Sequence, residues 1–152
     1  MDLRAILKAL KFGIMVKPQL KDAGAFAGNT YFDTLGLSGL LVLFVIGDTD
    51  IAAGSDDTST PPKLEECDTT GGTYTAVSGA TLATVLGAGD DSTMRGIFVD
   101  LAKTHKRYIQ VDDPTAGDGT AGVSMCVVAI GFPSDQMPHN AAGMGLTELV
   151  EA

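Results

Sequence analysis

The sequence has no Trp, only 3 Tyr, 2 Cys and 2 His, and each scarcity removes a class of function. Two cysteines, Cys67 and Cys126, are too few for a disulfide framework and have no C-x-x-C spacing, so a reducing compartment is expected. A Cys–His nucleophile pair with His105 or His139 needs residues far apart in sequence to meet. Both thiols lie in apolar or strand-like runs, where Cys behaves as a small buried hydrophobe. No enzyme and no cofactor are therefore expected. Long apolar runs are missing too: the longest, residues 40–46, falls well short of the roughly 20 residues a membrane-crossing helix needs. Cations are outnumbered 10 to 19 by acids, and the net charge of −9 sets the whole chain against nucleic acid, whose phosphates it repels. What remains is a globular composition, 45% hydrophobic over 152 residues, which suits one domain with one core.

The acids that are present carry a message: 15 are Asp and 4 are Glu. Asp favours turns and caps because its short carboxylate bonds nearby backbone amides, whereas Glu is a good helix former. Strands joined by turns are expected. The charge is also unevenly placed. Residues 1–21 hold Arg4, Lys8, Lys11, Lys17 and Lys21 against Asp2 alone, a local +4 that leaves −13 on the remainder. Within that arm Leu3, Ile6, Leu7 and Leu10 stand at i, i+3, i+4 and i+7, with Arg4, Lys8 and Lys11 on the opposite face, which predicts a short amphipathic helix over residues 3–11. Its interrupted apolar stretch and missing A-x-A site make it mature sequence rather than a signal peptide. The stripe packs either on its own domain or on a partner, since so short a helix needs a surface to be stable. Residues 21–30, small and polar, read as a linker or loop.

Beyond the arm, residues 35–46 end in an unbroken apolar run with β-branched and aromatic members, expected to be the central strand and covered on both faces. KLEECDT and TYTAV around TGG read as a hairpin. Further strands are expected at residues 81–86, 97–101, 107–111 and 123–130, and residues 48–62 as a long polar loop. About eight short strands at this spacing predict an all-β sandwich or barrel. Three segments result: a basic N-terminal arm over 1–21, a β-sandwich over 22–133 and a C-terminal tail over 134–152.

Two motifs dissolve on their context. GDGTAG matches G-x-G-x-x-G but precedes VSMCVVAI, a β-type run, where a dinucleotide site needs a helix N-terminus. The pairs Asp56 and Asp57, Asp90 and Asp91, and Asp112 and Asp113 lack EF-hand spacing and read as solvated loops rather than calcium or other metal ligands. KTHKR, the one basic cluster outside the arm, has acids close in sequence and reads as a strand entrance guarded by lysine.

The order of these runs resembles the head decoration, or cement, proteins of tailed bacteriophages with HK97-type capsids, in the group with a jelly-roll-like antiparallel β-sandwich. The segments that carry the resemblance are NTYFDTLGLSGLLVLFVIGD, LEECDTTGGTYTAV, KRYIQV and GVSMCVVAIGFPSDQMP, with a D-x-x-G-x-x-x-L entry at residues 33–40 and a closing G-x-P at residues 131–133. The chain departs from the pattern at residues 48–62. The resemblance implies a non-enzymatic virion component, made in the host cytoplasm, that binds the outside of the phage head and reinforces joints between major capsid protein subunits. It also implies self-association as a dimer or trimer around capsid symmetry axes. Leu3, Ile6, Leu7 and Leu10 are then apolar anchors, and Arg4, Lys8 and Lys11 electrostatic guides. A phage tail or head-tail completion protein is the alternative within the virion. A carbohydrate-binding sandwich, with Tyr31, Tyr74 and Tyr108 as its aromatics, is the alternative outside it.

Overall fold

Alternation between buried and exposed side chains marks the strands of this computed structural model, which describes residue 7 and residues 9–134. Eleven strands occur among the described residues: β1 (Lys11–Lys21), β2 (Gly24–Ala25), β3 (Phe32–Asp33), β4 (Leu37–Thr49), β5 (Ala53–Ser55), β6 (Lys63–Cys67), β7 (Thr75–Thr81), β8 (Met94–Asp100), β9 (Tyr108–Val111), β10 (Pro114–Ala116) and β11 (Val123–Pro133). The protein is all-β, as expected, but with eleven strands in place of about eight. They form three antiparallel sheets: a main sheet in the order β1-β11-β4-β8, a second four-stranded sheet in the order β3-β9-β6-β7, and a small sheet in the order β2-β10-β5. Among the described residues no helix is long and apolar enough to cross a membrane.

Every second residue of β4, from Leu40 through Val42 and Phe44 to Ile46, is buried, and Val123, Met125, Val127 and Ala129 of β11 do the same beside it. From the second sheet Phe32, Leu64, Val77, Ile109 and Val111 enter the same hydrophobic cluster, so one core joins both four-stranded sheets. The small sheet adds Ala53 and Ala116. Its place is tight: a Cβ on Gly54 would strike the backbone carbonyls of Asp57 and Thr60. Gly122, just before β11, has φ +85° and lies against the backbone of Lys21, so only glycine fits where β1 ends.

The hairpin is where the sequence places it, as β6 paired with β7. Other expectations change. Residues 11–21 are not part of a separate arm: β1 pairs along its length with β11, from Lys11 opposite Gly131 to Lys21 opposite Val123. The physical reason is that Phe12, Ile14, Met15 and Val16 find an open edge beside β11, and a Pro at position 18 is tolerated in a strand with a free edge. Residues 21–30 are anchored too, since Phe26 is buried and Gln19 clamps Ala27 from both sides, donating to its carbonyl at 2.6 Å and accepting its N–H at 3.0 Å. Residues 81–86 make no strand beyond Thr81; Leu86 forms a single bridge to Ala53. Residues 48–62 are more ordered than a polar loop, because they contain the buried strand β5.

Candidate functional site

An unbroken apolar run requires both faces of β4 to be covered, yet the core covers one. Leu41, Leu43 and Val45 turn away from it and are half-buried. Their neighbours extend the same character across the sheet, because cross-strand register stacks like residues in rows. Leu41 lies between Ile130 of β11 and Phe98 of β8, and Ile130 stands opposite Phe12 of β1. Leu43 lies between Val128 and Gly96, and Val128 stands opposite Ile14. Val45 lies between Cys126 and Met94. Ile14, Met94 and Phe98 are 54%, 68% and 62% exposed, values that only an uncovered surface gives to side chains this apolar.

Glycines shape the patch. The Phe98 and Phe132 rings meet edge-on with centroids 6.3 Å apart, over Gly39, where a Cβ would strike the Phe98 ring. Gly96 leaves room beside it for the ends of Leu43 and Leu41, which a Cβ there would meet at 3.3 and 3.5 Å. On β4, β8 and β11 the outward positions between Gly39 and Val45 carry no Lys, Arg, Asp or Glu; Lys17 of β1 stands beside Cys126 at one rim, and the exposed carboxylate of Asp100, opposite Gly39, closes one end. Burial pushes the Cys126 thiol up from its ordinary value, so it rests here as a neutral apolar group rather than a thiolate. Over rows about 20 Å long and four strands about 20 Å wide, this is on the order of 400 Å² of charge-free surface. Contiguous apolar surface of that size is the scale of the largest patch on an ordinary monomer, and such a patch is often functional.

Of the expected partner-binding residues, Leu3, Arg4, Ile6 and Lys8 lie outside the described residues. Leu7 is 48% exposed. Leu10 is half-buried and donates its N–H to the Leu7 carbonyl at 3.3 Å, and Ala9 between them is buried. Lys11 differs from expectation: it begins β1, its Nζ donates to the Asp33 carbonyl at 2.6 Å and sits 5.1 Å from the centre of the Phe32 ring. Its charge is spent inside the molecule, because strand pairing turns it toward β3 rather than outward. The apolar face itself is absent from the sequence reading. Its signal was the unbroken β4 run together with the apolar alternates of β11, whose outer side no other strand among the described residues covers.

The paired aspartates serve the loops. Asp57 accepts the N–H groups of Ser59 and Thr60, each at 2.7 Å, Asp90 accepts Gly87 N–H and pairs with Arg95, Asp91 accepts Thr49 N–H, and Asp112 pairs with Lys63 at 2.7 Å. These bonds hold the carboxyls of Asp57 and Asp90 below the usual range, chiefly through the Thr60 and Gly87 amides. Among the described residues no group of three or more potential metal ligands converges. Cys67 and His105 do not form a catalytic pair: His105 Nδ1 lies 2.9 Å from the Glu66 carboxylate, and the Cys67 sulfur faces the Thr69 hydroxyl. The three tyrosines, by contrast, are brought to one face of the second sheet. No family model, curated protein or solved structure matches the chain.

Proposed function

We propose that this chain is a structural protein of the tailed-phage virion that binds the outer surface of the capsid and reinforces contacts between major capsid protein subunits. The observation that carries the reading is the charge-free apolar face of the main sheet, on a molecule whose net charge is otherwise strongly negative. In this reading the two four-stranded sheets are the layers of a jelly-roll-like β-sandwich, with the uncovered layer turned toward the shell. The acidic remainder faces solvent, away from the packaged genome, whose phosphates it repels. The segment ahead of β1, with Leu3, Ile6, Leu7 and Leu10 and the cations Arg4 and Lys8, adds a second contact.

The size of the face selects the occupant. At on the order of 400 Å² it is about half of the roughly 800 Å² per partner that a standard stable interface buries. A free dimer through this face alone is therefore weak, whereas a shell that presents the same site many times holds many weak contacts at once. Clustering as dimers or trimers then follows the symmetry axes of the shell.

Co-sedimentation with expanded and unexpanded capsids of its phage tests the proposal. Wild-type protein is expected to pellet with expanded shells and to remain in solution with unexpanded ones. Leu43→Lys and Val128→Lys are expected to weaken that binding at least tenfold while the melting temperature stays within a few degrees, because a lysine at a half-exposed position reaches water in the free protein and loses it in the complex. Wild-type protein that pellets with neither shell, or electron microscopy that places it on the tail, sinks the reading. Unchanged binding of both lysine variants removes this face from the contact.

A further inference from the structure

We infer that the outer face of the second sheet binds a neutral glycan, with Tyr31 as the stacking ring. All 3 tyrosines of the chain gather there, although they are 43 and 34 residues apart in sequence. Register brings them together: Tyr108 of β9 stands opposite Asp33 of β3 on one side and Cys67 of β6 on the other. Thr75 pairs with Glu66, so Tyr74, one residue earlier, falls beside Cys67 as well. Tyr31 leads into β3 and meets the Tyr108 ring edge-on, with centroids 5.1 Å apart and planes at 75°.

The cluster is built rather than casual. Arg107 forks onto Asp33 through bonds of 2.9 and 2.8 Å, and the same guanidinium lies 5.0 Å from the centre of the Tyr108 ring. Tyr108 is thus held from two sides, and it meets Tyr31, which is 41% exposed. The Tyr74 hydroxyl is buried and has no hydrogen-bond partner among the described residues, an uncommon arrangement that calls for water or a group from outside. Burial pushes its pKa up, with Cys67, Tyr31, Glu65 and Tyr108 adding to the effect, so it stays a neutral donor. Gln110 donates to Glu65 at 2.6 Å, and this amide–carboxylate pair stands two residues along β9 and β6 from Tyr108 and Cys67, on the same side of the sheet.

These groups match a sugar. The ring face is electron-rich and attracts the polarised C–H groups on one side of a pyranose, while its hydroxyls need donors and acceptors near by. Charge selects a neutral one. Arg107 is matched by Asp33 and Lys63 by Asp112, while Lys106, whose Nζ donates to the Thr75 hydroxyl at 2.8 Å, and Glu65 offset one another, so the face holds no surplus cation for an anionic residue such as a sialic acid. The inference does not depend on the capsid, because it concerns the face opposite the one proposed to meet the shell.

The test uses the free full-length protein on a panel of immobilised neutral oligosaccharides containing glucose, galactose, mannose and N-acetylhexosamines, with sialylated oligosaccharides beside them. Binding to at least one neutral glycan is expected. Tyr31→Ala should weaken it at least fivefold at an unchanged melting temperature, and Tyr74→Phe, which keeps the ring and deletes the hydroxyl, at least threefold. No binding to any neutral glycan overturns the inference, as does binding confined to sialylated ones. Neutral-glycan binding untouched by Tyr74→Phe and Tyr31→Ala overturns it equally.

Discussion

Asp33 links the two halves of the molecule at the scale of one residue. Its carboxylate takes the Arg107 fork, accepts the Leu35 N–H at 3.1 Å, and its own backbone carbonyl receives Lys11 from β1. The Arg107 hydrogen bond is the largest cause that holds its pKa at about 2, against burial, with the Leu35 amide and the charges of Lys11 and Arg107 acting in the same direction as the fork. An unfolded aspartate titrates near 3.9, so the stabilisation is fully present above that pH and is lost as pH falls through the folded value. Urea unfolding of wild type and Asp33→Asn should therefore differ by a constant amount between pH 5 and 7. The gap should narrow below about pH 4 and close near pH 2. A gap that persists unchanged at pH 2 means that the fork acts through packing and not through charge. Little of this was legible in the sequence, where Asp33 and Arg107 are 74 residues apart and only the fold makes them neighbours.

Strands announce themselves by what they bury, and this decided which elements the sequence revealed. β4, β9 and β11 each offer apolar residues at every second position toward the core, a pattern visible without coordinates. Phe44, fully buried at the middle of β4, is the strongest case. Phe44→Ala should cost about 3–5 kcal/mol, read as a shift of the urea midpoint at constant slope, because the cavity lies between two sheets that cannot both collapse into it. A cost under about 1 kcal/mol contradicts a single core shared by both sheets. β1 escaped because its lysines and Pro18 are edge-strand devices against aggregation, and these look like a linker or a helix end when read in one dimension. Leu7 and Leu10 continue a helical stripe up to its first residue, which extended the expected helix one strand-residue too far, to Lys11. β5 and β10 escaped for another reason. Ala-Gly-Ser and Pro-Thr-Ala have little strand propensity, and they are strands because they are short of room and pair with each other.

Charge and apolar surface separate once the whole molecule is considered. Of the five cations that make the first 21 residues basic, Lys11, Lys17 and Lys21 lie on β1; Lys11 is spent on the Asp33 carbonyl, and Lys17 and Lys21 make a basic edge beside the apolar face. The opposite edge, β8, presents Met94 and Phe98 instead. A partner that sits on this face meets apolar contact first and cations only along one rim. Rim charges steer encounter and are screened within about 10 Å at 0.1 M salt, whereas apolar burial does not depend on screening. Raising NaCl from 0.05 to 0.5 M should therefore slow association with expanded shells, as followed by light scattering, yet change the equilibrium affinity by less than about threefold, since added salt leaves burial of apolar area nearly unweakened. An affinity that falls tenfold or more over the same range assigns the binding to Arg4, Lys8, Lys17 and Lys21 and demotes the apolar face to a bystander. Combining the salt series with Leu43→Lys separates the two contributions, because that variant removes the apolar contact while it leaves all the wild-type cations in place.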